Sequence, residues 1–279
     1  LEKRELDNSL TNTESWHTEV FQYMEADIGM RYGPREYLEV VRQCVRNVDI
    51  PVIASINCIS PEWWLYFAEE VAAAGAAAIE LNIAIMPRDV FTAAEKVESE
   101  YETIVRNACS KVDIPVAVKL VPYFTNVPAV VSRLQQAGAR GFVLFNRLYR
   151  PSIAIETQRV EQPPDDRYSS PKEFSPSLRA VATIAGRLDA DVAAATGIHD
   201  GCAVIQALLA GATAVQMVTA PSKEGLGILA DIKAFLRAWM DEHGYESINA
   251  FRGQVAEVNN PEGELFGRLQ YIKGLVGVE

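Results

Sequence analysis

The chain has 279 residues, 49% of them hydrophobic and 23% charged, which is an ordinary globular composition and enough length for one large barrel or two modest domains. Its formal net charge of -11, with no basic run, argues against a nucleic-acid partner and leaves a small molecule as the expected ligand. Four widely spaced cysteines, Cys44, Cys58, Cys109 and Cys202, form no C-x-x-C pair, so a reducing compartment is expected, with neither a zinc site nor a disulfide framework.

The chain opens on Leu1-Glu2-Lys3-Arg4-Glu5-Leu6, which reads as polar and helical, not as a basic-then-apolar leader. No apolar run reaches the roughly 18 residues of a membrane span, so a cytoplasmic protein with no membrane partner is expected. Residues 1–33, with Trp16, Phe21 and Tyr23, read as loop and irregular helix. After Gly33-Pro34, the spacing of Tyr37, Val40, Val41, Cys44 and Val48 predicts a helix with one apolar face.

Val48-Asp49-Ile50-Pro51-Val52 leads into the first clear strand, near 52–57, and the same V-D-I-P-V lead-in recurs at 112–116. The second copy continues as Val116-Ala117-Val118-Lys119-Leu120-Val121, a β-branched run that reads as a short strand buried on both faces, interrupted by a lysine near its C-terminal end. A buried ammonium needs a partner or an anion nearby.

A second repeat is stronger. Ala74-Gly75-Ala76, Ala137-Gly138-Ala139 and Ala210-Gly211-Ala212 each close a helical stretch and are followed after two residues by a strand. The glycine supplies the left-handed residue of a helix C-terminus. Strands are thus predicted near 52–57, 78–83, 116–121, 141–146, 191–196 and 215–219, separated mostly by helices. Such alternation means a doubly wound sheet or a (β/α) barrel. The barrel is favoured because Asn57, Asn82, Lys119, Asn146, Thr196 and Thr219 recur at strand C-terminal ends, which in a barrel converge on one mouth. Six strands fall short of the eight that closure needs. The missing two lie either within residues 1–47 or ahead of Leu1.

Between Leu148 and Pro176 the barrel rhythm breaks. Ser152-Ile153-Ala154-Ile155-Glu156 alternates and Gln162-Pro163-Pro164-Asp165-Asp166 is a turn-rich loop, so an inserted hairpin lid is expected over about 148–176. The helix from Ile228 to Asp241, with Leu229, Ile232, Phe235, Leu236 and Trp239 at helical spacing, is expected to close the barrel wall.

Six stretches in order carry a family resemblance: Pro51–Asn57, Glu80–Asn82, Pro115–Leu120, Leu144–Arg147, Thr196–Gly201 and Gly244–Ile248. From about residue 35 to 253 the chain resembles the dihydroorotate dehydrogenase family of FMN-dependent (β/α) barrels, and within it the branch called dihydroorotate dehydrogenase-like proteins. The resemblance implies an α/β (β/α)8 TIM barrel, a single domain over 1–279, with its first two strands falling ahead of Leu1. It also implies FMN as cofactor, a small cyclic substrate of pyrimidine metabolism, and a homodimer as one assembly to consider.

The resemblance assigns Lys119 to the flavin N1–C2 carbonyl edge; an ion pair with Glu80 is the structural alternative. Asn57, Asn82 and Asn146 either cap the helices that follow or recognise the amides of the flavin and substrate. Thr196, Gly197, Val218 and Thr219 stand where the family holds the FMN phosphate. His199 reads as a loop residue without a catalytic role, beside the helix cap Asp200. The family's active-site loop carries a cysteine or serine as base, whereas here Asn82-Ile83-Ala84-Ile85-Met86-Pro87-Arg88 puts Ile85 at that position, and isoleucine accepts no proton. Arg147 follows Asn146 where a small hydroxyl residue is usual and suits a carboxylate or phosphate of the substrate. Cys58 is a weak candidate nucleophile, since free cysteine is more often packing material.

Overall fold

The computed structural model describes residues 34–58, 61–87, 89–148, 150–161 and 168–260. The expectations for residues 1–33, for Arg88 and for the loop at 162–166 lie outside those residues.

Helices and strands alternate from the start. Helix α1 (Pro34–Asn47) leads to β1 (Ile53–Ile56), α2 (Pro61–Ala73), β2 (Ala78–Asn82), α3 (Ala94–Cys109), β3 (Val116–Leu120), α4 (Val127–Gln136) and β4 (Gly141–Leu144). A short hairpin, β5 (Ser152–Ala154) with β6 (Arg159–Glu161), interrupts the rhythm where the sequence places an insertion. A 3-10 turn (Pro171–Glu173) then opens α5 (Phe174–Ile184), followed by β7 (Asp191–Ala195), α6 (Gly201–Leu209), β8 (Ala214–Gln216), α7 (Thr219–Glu224) and α8 (Ile228–Glu242).

Each Ala-Gly-Ala segment closes its helix with the same paired hydrogen bonds. Gly75 donates to the Ala72 carbonyl and Ala76 to Val71, and the bonds repeat at Gly138 and Ala139 and at Gly211 and Ala212. The three glycines have φ of 94°, 117° and 109°. This is the Schellman closure, in which the left-handed residue turns the chain back so that the last carbonyls are satisfied.

The six-stranded sheet is wholly parallel, and its strands lie in chain order, β1-β2-β3-β4-β7-β8. A doubly wound sheet reverses order at a switch point, whereas a (β/α)8 wall does not. The sheet also curls. Gln216 on β8 hydrogen-bonds Glu80 on β2, although the two strands stand four steps apart and would be about 19 Å apart in a flat sheet. The fold is therefore an arc of a TIM barrel, with six strands among the described residues.

The hydrophobic core lies outside the arc, between sheet and helices. Val116, Val118 and Leu120 of β3 and Ile79 and Leu81 of β2 pack there with Val71, Tyr101, Val105, Val131, Leu134 and Val181. The strand expected to be buried on both faces is buried on this one, with Ala117 and Lys119 only partly covered on the concave side. The predicted Val215–Thr219 strand ends at Gln216, since Thr219 already belongs to α7. Helix α1 presents Leu38 and Val41 to the core and leaves Val40, Cys44 and Val48 exposed. Helix α8 packs on α6 and α7, with Ile232 buried and Leu236 and Trp239 partly buried against the core, while Leu229 and Phe235 remain exposed.

Gly197 fixes where β7 turns away from the barrel. Its φ is +79°, and a Cβ there would sit 2.4 Å from the backbone nitrogen of Phe174 at the start of α5. Left-handed strain and a backbone clash together predict that Gly197→Ala lowers unfolding free energy by about 2–5 kcal/mol. Urea denaturation checks this, and an unchanged midpoint would mean that the approach of β7 to α5 is looser than described.

Candidate active site

A polar layer crosses the interior of the arc. Glu80, only 4% exposed, accepts a hydrogen bond from Ser55 Oγ on β1 at 2.7 Å and one from Gln216 Nε2 on β8 at 2.5 Å. Lys119 Nζ donates to Gln216 Oε1 at 2.9 Å and stands 3.8 Å from Glu80 Oε1. Tyr37 from α1 donates to the Ser55 carbonyl at 2.7 Å. Burial raises the Tyr37 pKa despite that hydrogen bond, and the Glu80 charge adds to the rise, so its hydroxyl remains a donor at neutral pH. The inward neighbours that follow from the register are Ala117 on β3, Gly141 and Val143 on β4, and Ala193 on β7.

At the mouth, Asn146 Nδ2 donates to Asn82 Oδ1 at 2.8 Å. The two asparagines are thus joined to each other and are not helix caps; caps are supplied instead by Asn126 for α4 and Asp200 for α6. Because the pair uses one donor and one acceptor, the Asn82 amide nitrogen and the Asn146 amide oxygen are without a partner among the described residues. Asn57 is exposed one residue past β1, where the register would set it beside Asn82.

The loop after β2 is held from behind. Tyr101, fully buried on α3, donates to the Ile83 carbonyl and accepts from the Ile85 N–H, both at 3.2 Å. Burial raises its pKa. Ile85 packs its partly buried side chain against the core, so the position expected to hold a base contributes hydrocarbon. Cys58 is likewise half-buried against the core.

After β7 the chain takes two left-handed residues in succession, Thr196 (φ 71°) and Gly197 (φ 79°). A β-branched residue in this region is strained by about 1–3 kcal/mol, and the Thr196 hydroxyl compensates by donating to the Phe145 carbonyl at 2.9 Å. Nearby, the buried Thr219 oxygen accepts from the Ser169 N–H at 3.1 Å and lies 2.9 Å from Ser169 Oγ. Ser169 Oγ is also 3.1 Å from His199 Nε2. Ser169 therefore ties the returning arm of the insertion to the end of β7 through His199 and to the end of β8 through Thr219. Val218, just ahead of α7, is exposed.

The outgoing arm of the insertion is held by charge. Arg147 Nε and an Arg150 guanidinium nitrogen each lie 2.8 Å from the same oxygen of Glu173. The other Glu173 oxygen accepts the Ser170 N–H at 2.7 Å and completes a capping box. Burial alone would raise the Glu173 pKa, but the Ser170 N–H and the two arginines outweigh it and hold the carboxyl below its ordinary value. Arg147 is thus brought to the mouth, yet engaged by Glu173.

The profile of the family described as dihydroorotate dehydrogenase matches residues 22–240. The chain belongs to the dihydroorotate dehydrogenase family. It is 30% identical over 229 residues to the catalytic subunit of dihydroorotate dehydrogenase B (NAD(+)) of Pyrococcus abyssi, a match covering 81% of this chain and 75% of the relative. The corresponding subunit of Pyrococcus furiosus is 29% identical with the same coverage, and that of Thermococcus kodakarensis 28% identical, covering 81% of this chain and 74% of the relative.

The site of this family member contains residues that the sequence reading passed over. Gln216, Ser55, Ser169 and Glu173 each make a bond on which the mouth depends. Gln216 carried a usable signal, a polar residue inside the run Val215-Gln216-Met217-Val218, the same feature that singles out Lys119. Among the described residues no group of three or more His, Cys, Asp or Glu could hold a metal, and no helix is long and apolar enough to cross a membrane.

Glu173→Gln removes the charge that gathers Arg147 and Arg150, and a cost of about 1–3 kcal/mol is expected. A depressed folded pKa stabilises above the unfolded carboxylate pKa, and that stability is lost as pH falls through the folded value. The difference in unfolding free energy between parent and variant should therefore be full at neutral pH and shrink below about pH 4.3. Paired urea titrations across that range check it; a difference independent of pH would show that the Glu173 charge is not what holds the arm.

Proposed function

We propose that the protein is an FMN-dependent oxidoreductase of the dihydroorotate dehydrogenase type, taking a hydride from a small cyclic, pyrimidine-like substrate. The observation that supports this most directly is the ammonium of Lys119 on the concave face, in register with Asn82, whose amide is joined to that of Asn146. A cation near the N1–C2 carbonyl edge of a flavin favours its anionic reduced form. The amide donor of Asn82 and the amide acceptor of Asn146 match the N–H and C=O edge of a flavin or a pyrimidine. Thr196, Gly197, Val218 and Thr219 would lie on the side on which the phosphate of FMN is held, with backbone N–H groups as donors suited to an anion. Donors and cation both fit FMN. Bound there, the flavin would serve as hydride acceptor, while this chain's residues orient it, hold the substrate and exclude water.

The hairpin β5–β6, tied down through Glu173 on one side and Ser169 on the other, would cover the mouth as a lid. Asn57, Asn82, Asn146 and Arg147 would face the substrate, with Arg147 exchanging Glu173 for a substrate anion.

Ile85 favours a second reading, a flavin- or phosphate-binding barrel of the same family with another substrate or none. Loss of a general base commonly costs about two to four powers of ten in rate. Three outcomes follow for the purified protein. It should be yellow and release FMN on denaturation. Lys119→Ala should lower FMN affinity or reduction rate far more than melting temperature; the reverse pattern would assign Lys119 to the Glu80 pair alone. Dihydroorotate should bleach the flavin slowly or not at all in anaerobic stopped flow, with little rescue in Ile85→Cys. Fast bleaching by the parent protein would show that another residue, with Cys58 the first to test, serves as base.

A further inference from the structure

Lys119 and Glu80 are opposite charges on adjacent strands, yet they do not close into a contact pair. Their nearest approach is 3.8 Å, beyond hydrogen-bond length. The carboxamide of Gln216 bridges them from β8, donating through Nε2 to Glu80 Oε2 at 2.5 Å and accepting through Oε1 from Lys119 at 2.9 Å, while the oxygen 3.8 Å from the ammonium is Glu80 Oε1. Few side chains can do both, because the task needs a donor and an acceptor fixed on one planar group.

The placement is specific to the curled sheet. Gln216 comes from β8, three steps across the order from β3, and reaches both partners only through the interior. Glu80 is 4% exposed and is held from the far side by Ser55 Oγ, so it does not swing toward the lysine. The groups described as facing Lys119 are Glu80 from β2 and Gln216 from β8. An ammonium has three N–H donors; one is given to Gln216, and the attraction to Glu80 is weakened by distance.

We propose that Gln216 is a positioning residue that acts as a spacer, keeping Lys119 from collapsing onto Glu80 and so leaving its charge directed to the ligand on the concave face. The inference rests on the flavin reading only for the identity of that ligand. Without the carboxamide, the shortest path for Lys119 is a direct hydrogen-bonded pair with Glu80. Such a pair would hold the lysine back from the mouth and stabilise its charged form more strongly than an amide oxygen does.

The test compares Gln216→Met, which keeps length and removes both polar atoms, with the double variant Gln216→Met/Glu80→Gln, which also removes the carboxylate. In flavin-free protein, the Lys119 ammonium is titrated by NMR of 13Cε-labelled lysine, its signal identified by loss in Lys119→Arg. The lysine pKa should rise in the single variant and fall below the parent value in the double variant. FMN affinity, read by fluorescence quenching, should weaken about tenfold in the single variant and largely recover in the double. Recovery on removing a second buried group is not expected of a merely structural residue, whose loss would lower melting temperature in both variants and leave the lysine titration unmoved.

An unchanged titration in Gln216→Met overturns the spacer. If the parent binds no FMN, the flavin reading fails while the titration still decides the spacer; if the parent binds FMN and the single variant binds it equally well, the spacer fails alone. Should Gln216→Met not fold, Gln216→Asn withdraws the carboxamide by one methylene and carries the same comparison.

Discussion

Burying the Glu80 carboxylate inside the arc costs several kcal/mol unless charge and hydrogen bonds offset it, and the offset comes from three different strands. Ser55 approaches from β1, Lys119 from β3 and Gln216 from β8. Those bonds exist together only at one curvature. A flatter sheet would separate Gln216 from Glu80 and leave a buried charge without its shortest bond. The curl and the polar interior are thus one constraint, and the outward hydrophobic faces, which alone carry the core, are free to pack against the helices.

Above that layer the mouth is assembled from loops held by separate means. Tyr101 fixes the loop after β2 through two backbone groups. Glu173 gathers the outgoing arm of the insertion, and Ser169, Thr219 and His199 secure the returning one. Rigid strands set the charge and hydrogen-bonded loops set the shape.

Legibility in the sequence followed the range of the interactions. Strands and turns were readable because β-branched runs and Ala-Gly-Ala closures are local, and the barrel was readable because polar residues recur at strand ends. Asn82, Asn146 and Lys119 stood out for that reason. Their partners did not, since Gln216 meets Glu80 across 136 positions of chain, and no local pattern encodes such a meeting. Arg147 was legible as a charged residue after a strand end, but its Glu173 partner belongs to a capping box that looks, in sequence, like an ordinary helix start. The apolar face assigned to α1 missed by a fraction of a turn, because what it covers was unknown.

The three Schellman closures have an effect at a distance from the turns themselves. Since each turn has the same length and hydrogen bonding, each strand leaves it in the same pleat phase, and the residue five places after the glycine always points inward. Those residues are Glu80 after Gly75, Val143 after Gly138 and Gln216 after Gly211. Two of the three are the polar atoms that hold Lys119. A single inserted residue in either turn would reverse the parity of its strand and carry the carboxylate or the carboxamide into the hydrocarbon layer. The bottom of the barrel therefore keeps time for its interior: a uniform hinge allows ligand chemistry to vary by substitution at one offset, while changes in chain length there are forbidden.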